Sequence, residues 1–284
     1  MTKSILITGA GGQVGHELAI AASPHRLIAL DRRQLDITDS TQLAAVIEAH
    51  RPHIVVNAAA YTQVDRAEHE IETAFAVNRN GVANLAEFCR QAKIPLLQLS
   101  TDYVFDGSKK GAYCETDPIA PLGIYGASKA EAETLLQASL EKHLILRTSW
   151  VFSASGSNFV KTMLRLGGER EALGIVDDQH GCPTSARSIA EVLLQIADRY
   201  LTNATIEWGV YHYCNSPPTT WFGFAREIFK QAGGYHDLEL KPITTSEYPT
   251  PAQRPLNSIL DCSKIETELG IRPKSWAEEL TRVI

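Results

Sequence analysis

A glycine-rich turn between a short apolar strand and a helix opens this chain. Residues 3–8 (KSILIT) have the composition of a buried strand, and residues 13–22 favour a helix. The turn between them places Gly9, Gly12 and Gly15 in a G-x-x-G-x-x-G spacing. Unpaired amides and the macrodipole at such a helix start attract a pyrophosphate, and glycine lets it approach closely. The spacing departs from the G-x-G-x-x-G dinucleotide fingerprint but can serve the same purpose, although by itself it also fits a plain turn.

Strand and helix signals alternate through the first 150 residues. Further strands are predicted at 26–30, 53–56, 96–99 and 143–147. Helices are predicted between them, at 40–50, 65–92 and 128–140. This alternation predicts an α/β fold with a Rossmann-type, doubly wound parallel sheet. Ligands of such a sheet bind at the carboxyl ends of the strands.

Beyond Trp150 the alternation loosens, and proline-containing segments such as 178–184 and 248–255 resemble loops. We therefore expect residues 1–149 to form an NAD(P)-binding Rossmann domain, with later returns of the chain near 171–184 and 219–236. Residues 150–284 are expected to form mainly a smaller C-terminal substrate-binding lobe. A chain of 284 residues with 44% hydrophobic residues can bury a core of this size.

Charge and cysteine content exclude several classes of function. The net charge of −6 provides no basic surface for nucleic acid or an anionic membrane. The sequence shows no signal segment and no apolar run of about 18 residues, so a protein of the cytoplasm is expected. The five cysteines and nine histidines lack metal-ligand spacing, which predicts no metal site, and an odd number of cysteines cannot form a complete disulfide framework.

A tyrosine and a lysine four residues apart carry the clearest chemical signal. Tyr125 and Lys129 would share one face of a helix, where the lysine's positive charge favours the phenolate and brings the tyrosine toward use as a general acid. Thr101 or Ser100, at the end of the fourth strand, can hold a substrate carbonyl. Such a pair also occurs on solvated helix faces, so the interpretation rests on its combination with the glycine-rich turn.

The segment after the second strand bears on the choice of cofactor. A carboxylate at Asp31 can accept a hydrogen bond from the 2′-hydroxyl of an adenosine ribose, which favours NAD. The adjoining Arg32 and Arg33 can pair with a 2′-phosphate, which favours NADP. Both alternatives stay open.

Longer motifs carry a resemblance to a known family. The motifs are 57–65 (NAAAYTQVD), 100–107 (STDYVFDG), 125–129 (YGASK), 147–152 (RTSWVF), 158–163 (NFVKTM), 177–184 (DDQHGCPT) and 254–258 (RPLNS). Together with the glycine-rich turn they resemble the dTDP-4-dehydrorhamnose reductases, which are extended short-chain dehydrogenase/reductases. The resemblance covers nearly the whole chain.

This resemblance implies reduction of the C4 ketone of dTDP-4-dehydro-β-L-rhamnose to dTDP-β-L-rhamnose, with hydride from NADPH or NADH. It is the last step in making this activated sugar, a precursor of cell-surface polysaccharides. Tyr125 would protonate the developing alkoxide, Lys129 would lower the tyrosine pKa and bind the nicotinamide ribose, and Thr101 would orient the carbonyl. Arg254 is the candidate for the substrate diphosphate, because a guanidinium pairs with phosphate oxygens through two parallel hydrogen bonds.

The expected contacts form two sets. The cofactor-binding residues are Gly9, Gly12, Gln13, Val14, Gly15, Asp31, Arg32, Asp36, Ile37, Ala58, Ala59, Ala60, Tyr61, Thr62, Leu99, Tyr125 and Lys129. The substrate-binding residues are Thr62, Val64, Thr101, Asp102, Tyr125, Trp150 and Arg254. Trp208, Trp221 and Trp276 are interpreted as packing residues rather than sugar platforms.

Assembly and two other functions stay open at this point. Some proteins of this family are dimers bridged by a divalent cation, but no full ligand set for Mg²⁺ can be mapped here, so a monomer or a homodimer is expected. The regulatory β subunit of methionine adenosyltransferase also resembles these reductases, and it acts as a partner protein. A reductase or epimerase of another nucleotide 4-keto sugar would use the same tyrosine and lysine.

Overall fold

The structure is a computed structural model that describes residues 2–203 and 206–284. Its strands are β1 (Ser4–Thr8), β2 (Arg26–Leu30), β3 (Ile54–Asn57), β4 (Leu96–Thr101), β5 (His143–Thr148), β6 (Val151–Phe152), β7 (Ala172–Val176), β8 (His180–Gly181), β9 (Thr184–Ser185), β10 (Gly209–His212), β11 (Thr219–Thr220) and β12 (Glu239–Ile243). Its helices are α1 (Gln13–Ile20), α2 (Ser40–His50), α3 (Val64–Ala67), α4 (Ile71–Phe75), α5 (Gly81–Ala92), α6 (Ile124–Ser139), α7 (Phe159–Glu169), α8 (Ala186–Asn203), α9 (Trp221–Ala232), α10 (Ser263–Leu269) and α11 (Trp276–Leu280). A π-helical turn covers Ala76–Asn80, and 3₁₀ turns cover Asp102–Val104 and Thr245–Glu247.

A parallel six-stranded sheet forms the centre of the molecule. Its strand order is β2-β1-β3-β4-β5-β10, and every neighbouring pair is parallel. The chain leaves β1 toward β2 on one side and returns to β3 on the other, so the order reverses between β1 and β3. Loops that leave a reversal point diverge and open a crevice for ligands. The predicted α/β, doubly wound fold is confirmed.

Apolar residues are buried on both faces of this sheet. Along β1, Ile5 and Ile7 pack in the cluster that includes α1 and α8, whereas Leu6 packs in the cluster that includes α2, α5 and α6. Parallel strands covered by helices on both faces are uniformly apolar, which explains the unbroken SILIT segment. This packing fixes the carboxyl ends of the strands, where the polar residues of the candidate site lie.

A smaller group of elements follows β5. Short two-stranded pairings join β7 with β12, β8 with β11, and β6 with β9. Helices α7, α9 and α11 contribute to a separate apolar cluster that includes Phe152, Val160, Phe224 and Trp276. Part of the chain beyond residue 150 therefore has a core of its own.

The chain returns to the large sheet at other points than the sequence predicts. We expect returns near 171–184 and 219–236, but the structure places β7 and α9 in the smaller cluster. The elements that return are α8, which packs in the α1 cluster, and β10, which extends the sheet next to β5. The sequence did not predict these returns for two reasons. The four residues of β10 are too few to show the alternating apolar pattern of a strand, and the apolar face of α8 does not reveal which surface of the protein it covers. The region predicted as one helix, 65–92, is divided into α3, α4, the π-helical turn and α5.

Within the described residues, no helix combines the length and apolarity that a bilayer crossing requires.

Candidate active site

The glycine-rich turn is packed so closely that two of its glycines, Gly9 and Gly15, have no room for a side chain. Gly9 has φ of +73°, and a Cβ there would lie 2.5 Å from the Ala59 nitrogen. A Cβ at Gly15 would lie 2.6 Å from the Gly9 carbonyl carbon and 2.8 Å from the Ala10 Cα. Helix α1 begins after Gly12 without a capping side chain, so its first amides have no side-chain acceptor. The turn thus has the open amides that an anion requires.

Two adjoining cavities lie over the carboxyl ends of the strands. The larger, of about 590 Å³, brings together predicted residues from both expected sets: Gly12, Gln13, Val14, Ala58, Ala59, Ala60, Thr62, Val64, Leu99, Thr101, Asp102, Tyr125, Lys129 and Trp150. The smaller, of about 350 Å³, is lined by Gly9, Gly12, Asp31, Arg32, Asp36, Ile37, Ala58, Ala59, Ala60 and Tyr61. The alanines after β3 form the wall that the cavities share. Gly15 lines neither cavity, because it lies beneath the turn.

Tyr125 and Lys129 reach the larger cavity from α6, which is fixed at its start by a distant carboxylate. The Ile124 amide donates a hydrogen bond of 2.8 Å to Glu68 Oε1 of the segment after α3. Gly123 offers no capping side chain of its own, so Glu68 takes that role. Lys129 is 3% exposed, and its Nζ donates to the Leu99 carbonyl at 2.7 Å. The lysine is therefore anchored to the end of β4.

Burial controls the protonation of both side chains. It raises the pKa of Tyr125 to about 12, although the nearby Thr101 hydroxyl acts to lower it. It lowers the pKa of Lys129 to about 8, although Glu133 acts to raise it. The expected lowering of the Tyr125 pKa by Lys129 is not seen, because desolvation of the phenolate dominates. At neutral pH Tyr125 is thus a protonated phenol, and most of Lys129 is charged.

Thr101 and Asp102 form a pair at the end of β4. The Thr101 hydroxyl donates to Asp102 Oδ1 at 2.9 Å and accepts from the Tyr103 amide at 3.2 Å. Asp102 is 2% exposed, and burial raises its pKa to about 6, although the hydrogen bond from Thr101 and the nearby Ser258 hydroxyl act to lower it. Its second oxygen, Oδ2, has no hydrogen-bond partner among the described residues. A buried carboxylate oxygen without a partner is suited to accept a ligand hydroxyl.

The loop after β2 forms a polar rim on the smaller cavity. Asp31 Oδ1 accepts hydrogen bonds from the Arg33 amide at 2.8 Å and the Gln34 amide at 3.1 Å. The Arg32 guanidinium lies 3.4 Å from Asp36 Oδ2, and its side chain is largely exposed. Burial acts to raise the pKa of Asp36, but hydrogen bonds from Thr38 and the charge of Arg32 outweigh it, so this pKa is lowered. The rim presents both a carboxylate and guanidinium groups.

Trp150 is held in an unusual conformation by its neighbours. Its φ of +48° is rare for a bulky residue. Its ring stacks on Trp221 with centroids 3.6 Å apart and an angle of 7°, and a Cβ on Gly181 would lie 2.5 Å from Trp150 Cε2. Sequence reasoning treated Trp221 as packing only. Its contact with Trp150, 71 positions earlier in the chain, has no local signal.

Arg254 lies outside both cavities and is paired. Its Nη1 and Nη2 donate to Asp65 Oδ1 and Oδ2 at 2.5 and 2.7 Å. Both residues line a third cavity of about 450 Å³, together with Phe159, Met163, Trp221 and Tyr248. Tyr103 borders this cavity and the larger one, so the two adjoin.

Several positioning contacts were missed by the sequence analysis. Gln13 Oε1 accepts from Ser153 Oγ and Asn158 Nδ2, both at 2.9 Å, and so ties the start of α1 to the segment before α7. Asn78, in the π-helical turn, accepts from the Tyr61 amide at 2.8 Å and donates to Ser128 Oγ at 3.0 Å. Such turns are frequent at functional sites, but short sequence patterns do not reveal them.

Metal ligands are not clustered in the described part of the chain. Between residues 2 and 203 and between 206 and 284, no group of three or more His, Cys, Asp or Glu side chains is placed to hold an ion. The five cysteines are all free thiols.

Comparisons with known proteins agree with one another. Residues 2–284 match the family model described as RmlD substrate binding domain. The dTDP-4-dehydrorhamnose reductase of Aggregatibacter actinomycetemcomitans is 47% identical over 286 residues, which cover 98% of this chain and 97% of that protein. The dTDP-4-dehydrorhamnose reductase of Sinorhizobium fredii is 42% identical and covers 99% of this chain and 96% of its own length. The crystal structure of dTDP-4-dehydrorhamnose reductase from Bacillus anthracis in complex with NADP superposes with a TM-score of 0.93 at 36% identity, covering 100% of this chain and 99% of that chain.

Proposed function

We propose, because this chain belongs to the RmlD substrate binding domain family, that it reduces the C4 ketone of dTDP-4-dehydro-β-L-rhamnose to dTDP-β-L-rhamnose with NADPH or NADH. This is the last step of dTDP-L-rhamnose biosynthesis. The observation that carries the proposal is the meeting of Thr101, Tyr125 and Lys129 in one cavity with the glycine-rich turn. The relatives named dTDP-4-dehydrorhamnose reductase, which match nearly the full length of this chain, support the choice of substrate.

The crevice fits a dinucleotide. Gly9 and Gly15 leave no space for Cβ atoms, and the resulting close packing of β1, β3 and α1 aims the first amides of α1 at the crevice. We place the pyrophosphate at these amides, with the adenosine in the smaller cavity beside Asp31 and Arg32. The carboxylate suits a ribose 2′-hydroxyl and the guanidinium suits a 2′-phosphate, so the rim accommodates NADH and NADPH.

The reduced nicotinamide supplies the hydride when it is bound. Tyr125 remains a protonated phenol at neutral pH, so its O–H is available to protonate the oxygen of the reduced carbonyl. The Lys129 ammonium is buried one helical turn away from Tyr125, and its positive charge stabilises the phenolate that forms after this transfer. Thr101 orients the carbonyl oxygen when its hydroxyl proton turns from Asp102 to the substrate. Each of these interactions is stronger once bound substrate and cofactor exclude water from the cavity.

We place the sugar between the end of β4 and Trp150. Asp102 Oδ2 accepts a sugar hydroxyl, and the Trp150 ring packs against the pyranose, with Thr62 and Val64 beside it. The third cavity accommodates the nucleotide. There Arg254 donates to the diphosphate with the guanidinium N–H groups that are not bound to Asp65. All of these residues belong to one chain, so the site is complete in a monomer, and a homodimer carries two such sites. We propose the cytoplasm as its compartment, in keeping with five free thiols.

The deciding experiment follows consumption of NADPH and of NADH with dTDP-4-dehydro-β-L-rhamnose generated in situ, and identifies the product. Formation of dTDP-rhamnose is the expected result, and Tyr125→Phe should reduce kcat at least about 100-fold, because general acid catalysis contributes 10²–10⁴. A wild-type chain that binds cofactor without turnover contradicts the proposal and favours a regulatory partner protein. Turnover of a different nucleotide 4-keto sugar contradicts only the assigned substrate.

A further inference from the structure

A buried ion pair lies directly behind the Tyr125 and Lys129 pair. Glu133 is one helical turn beyond Lys129 on α6 and is 1% exposed. Arg147 of β5 donates to it from Nε at 3.0 and 3.1 Å and from Nη2 at 2.6 Å. Two buried charges in this geometry, with several hydrogen bonds, are costly to separate. Neither residue lines the cavities described above.

The same carboxylate is bonded to two strands at once. Ser100 of β4 donates to Glu133 Oε1 at 2.5 Å, and Ser100 is the register partner of Arg147 on β5. Arg147 is in turn the register partner of His212 on β10, whose Nε2 lies 3.3 Å from Arg147 Nη1. Glu133 thus connects the helix that carries the tyrosine and lysine to neighbouring strands of the sheet.

Charges around Lys129 come from several elements. On α6 it has Tyr125 and Glu133, and behind Glu133 lie Arg147 and His212. Asp102, at the end of β4, lines the same cavity as Lys129. Burial and the charge of Arg147 lower the pKa of His212 to about 3, so this imidazole is neutral. Arg147 donates three hydrogen bonds to the Glu133 carboxylate. The Lys129 Nζ therefore donates to the Leu99 carbonyl and does not form a direct ion pair with Glu133.

We propose that Glu133 is a positioning residue for this reaction: locked in place by Arg147 and Ser100, its carboxylate holds Lys129 in its charged form at the edge of the cavity. This inference deepens the proposed function and rests on it for the catalytic meaning of Lys129. Arg147 has the opposite effect, because it neutralises part of the carboxylate. Removal of one partner or of the other should therefore act on Lys129 in opposite directions.

The test compares Glu133→Gln, Arg147→Met and the double variant, with Leu193→Ala of α8 as a control that loses core packing on the opposite face of the sheet. Protonation of Lys129 is followed by NMR titration of the chain labelled at lysine 13Cε, with the Lys129 signal assigned from Lys129→Met. This readout needs neither substrate nor turnover.

In Glu133→Gln the Lys129 pKa should fall by about one unit, as expected for the loss of an adjacent opposite charge. From a wild-type value of about 8, the charged fraction at pH 8 then drops about fivefold, and kcat with it, whereas kcat at pH 6 is nearly unchanged. Arg147→Met should raise the Lys129 pKa. The double variant removes both charges and escapes the penalty of an unpaired buried ion, and it should lower the Lys129 pKa by less than Glu133→Gln does, because the positive charge of Arg147 is removed as well.

Leu193→Ala should lower the melting temperature without shifting the titration. If Glu133→Gln and the double variant both retain the wild-type Lys129 titration, the pair only stabilises the fold and the inference is wrong. If the wild type reduces none of the 4-keto sugars, the proposed function fails, while the NMR titration still decides the role of Glu133.

Discussion

Gly15→Ala is the substitution with the most direct structural prediction. The added Cβ would lie 2.6 Å from the Gly9 carbonyl carbon and 2.8 Å from the Ala10 Cα, where ordinary contacts begin near 3.4 Å. These neighbours are backbone atoms, and the Gly9 carbonyl oxygen lies closer still, so α1 and the turn after β1 must separate by more than about 0.8 Å. Overpacking this severe costs about 2–3 kcal/mol, the upper part of the usual range. The higher helix propensity of alanine returns about 1 kcal/mol. We expect a net loss of about 1–2 kcal/mol in the free energy of unfolding, combined with displacement of the first amides of α1.

Two measurements check this expectation. Chemical denaturation gives the free energy of unfolding, and NADPH fluorescence gives the cofactor Kd, which should rise at least about tenfold because that change corresponds to only 1.4 kcal/mol. Gly168→Ala is the matched control, since a Cβ at Gly168 in α7 meets no atom within 4 Å. That variant should gain about 0.5–1 kcal/mol and bind NADPH unchanged. Wild-type stability and cofactor affinity in Gly15→Ala would refute the argument from close packing.

Two further outcomes follow from the substrate side of the cavity. Trp221→Ala removes the ring stacked on Trp150 and should raise KM for the nucleotide sugar about two- to tenfold, since such a pair contributes about 0.5–1.5 kcal/mol, while the Kd for NADPH stays constant. An unchanged KM would show that Trp150 keeps its position alone. Asp102 has a folded-state pKa of about 6 against an ordinary 3.8, so ionisation costs the folded state stability as pH rises from about 4 to about 6. The unfolding free energy of Asp102→Asn relative to wild type should therefore increase over this range by about 3 kcal/mol and then level off, and a difference independent of pH would contradict the raised pKa.

Local patterns were sufficient to predict the sheet and the centre of the site. The segments that form β1 to β5 are apolar and bounded by turn residues, and parallel strands bring their carboxyl ends to one edge, so Thr101, Tyr125 and Trp150 could be grouped before any coordinates. The α/β class, the reductase family and the enzyme class are confirmed by the sheet and the full-length relatives. The residue roles remain predictions.

What the sequence did not reveal depends on contacts between distant residues. The return of β10 to β5 is a pairing across more than 60 positions, and four residues carry no usable period. The pairing of Arg254 with Asp65 spans 189 positions, so its charge alone suggested an unpaired phosphate ligand. Glu133 did have a local signal, one helical turn after Lys129, but its meaning comes from Arg147 on a different strand.

The late position of β10 in the chain has a consequence for synthesis on the ribosome. Until residue 212 has left the exit tunnel, β5 remains an open sheet edge with unpaired backbone groups, and Arg147 lacks the His212 imidazole at its side. The first elements of the smaller cluster, β6, α7 and β7, emerge before that edge is covered. We therefore expect a gene fragment that stops near residue 150 to encode a sheet with an open, aggregation-prone edge at β5.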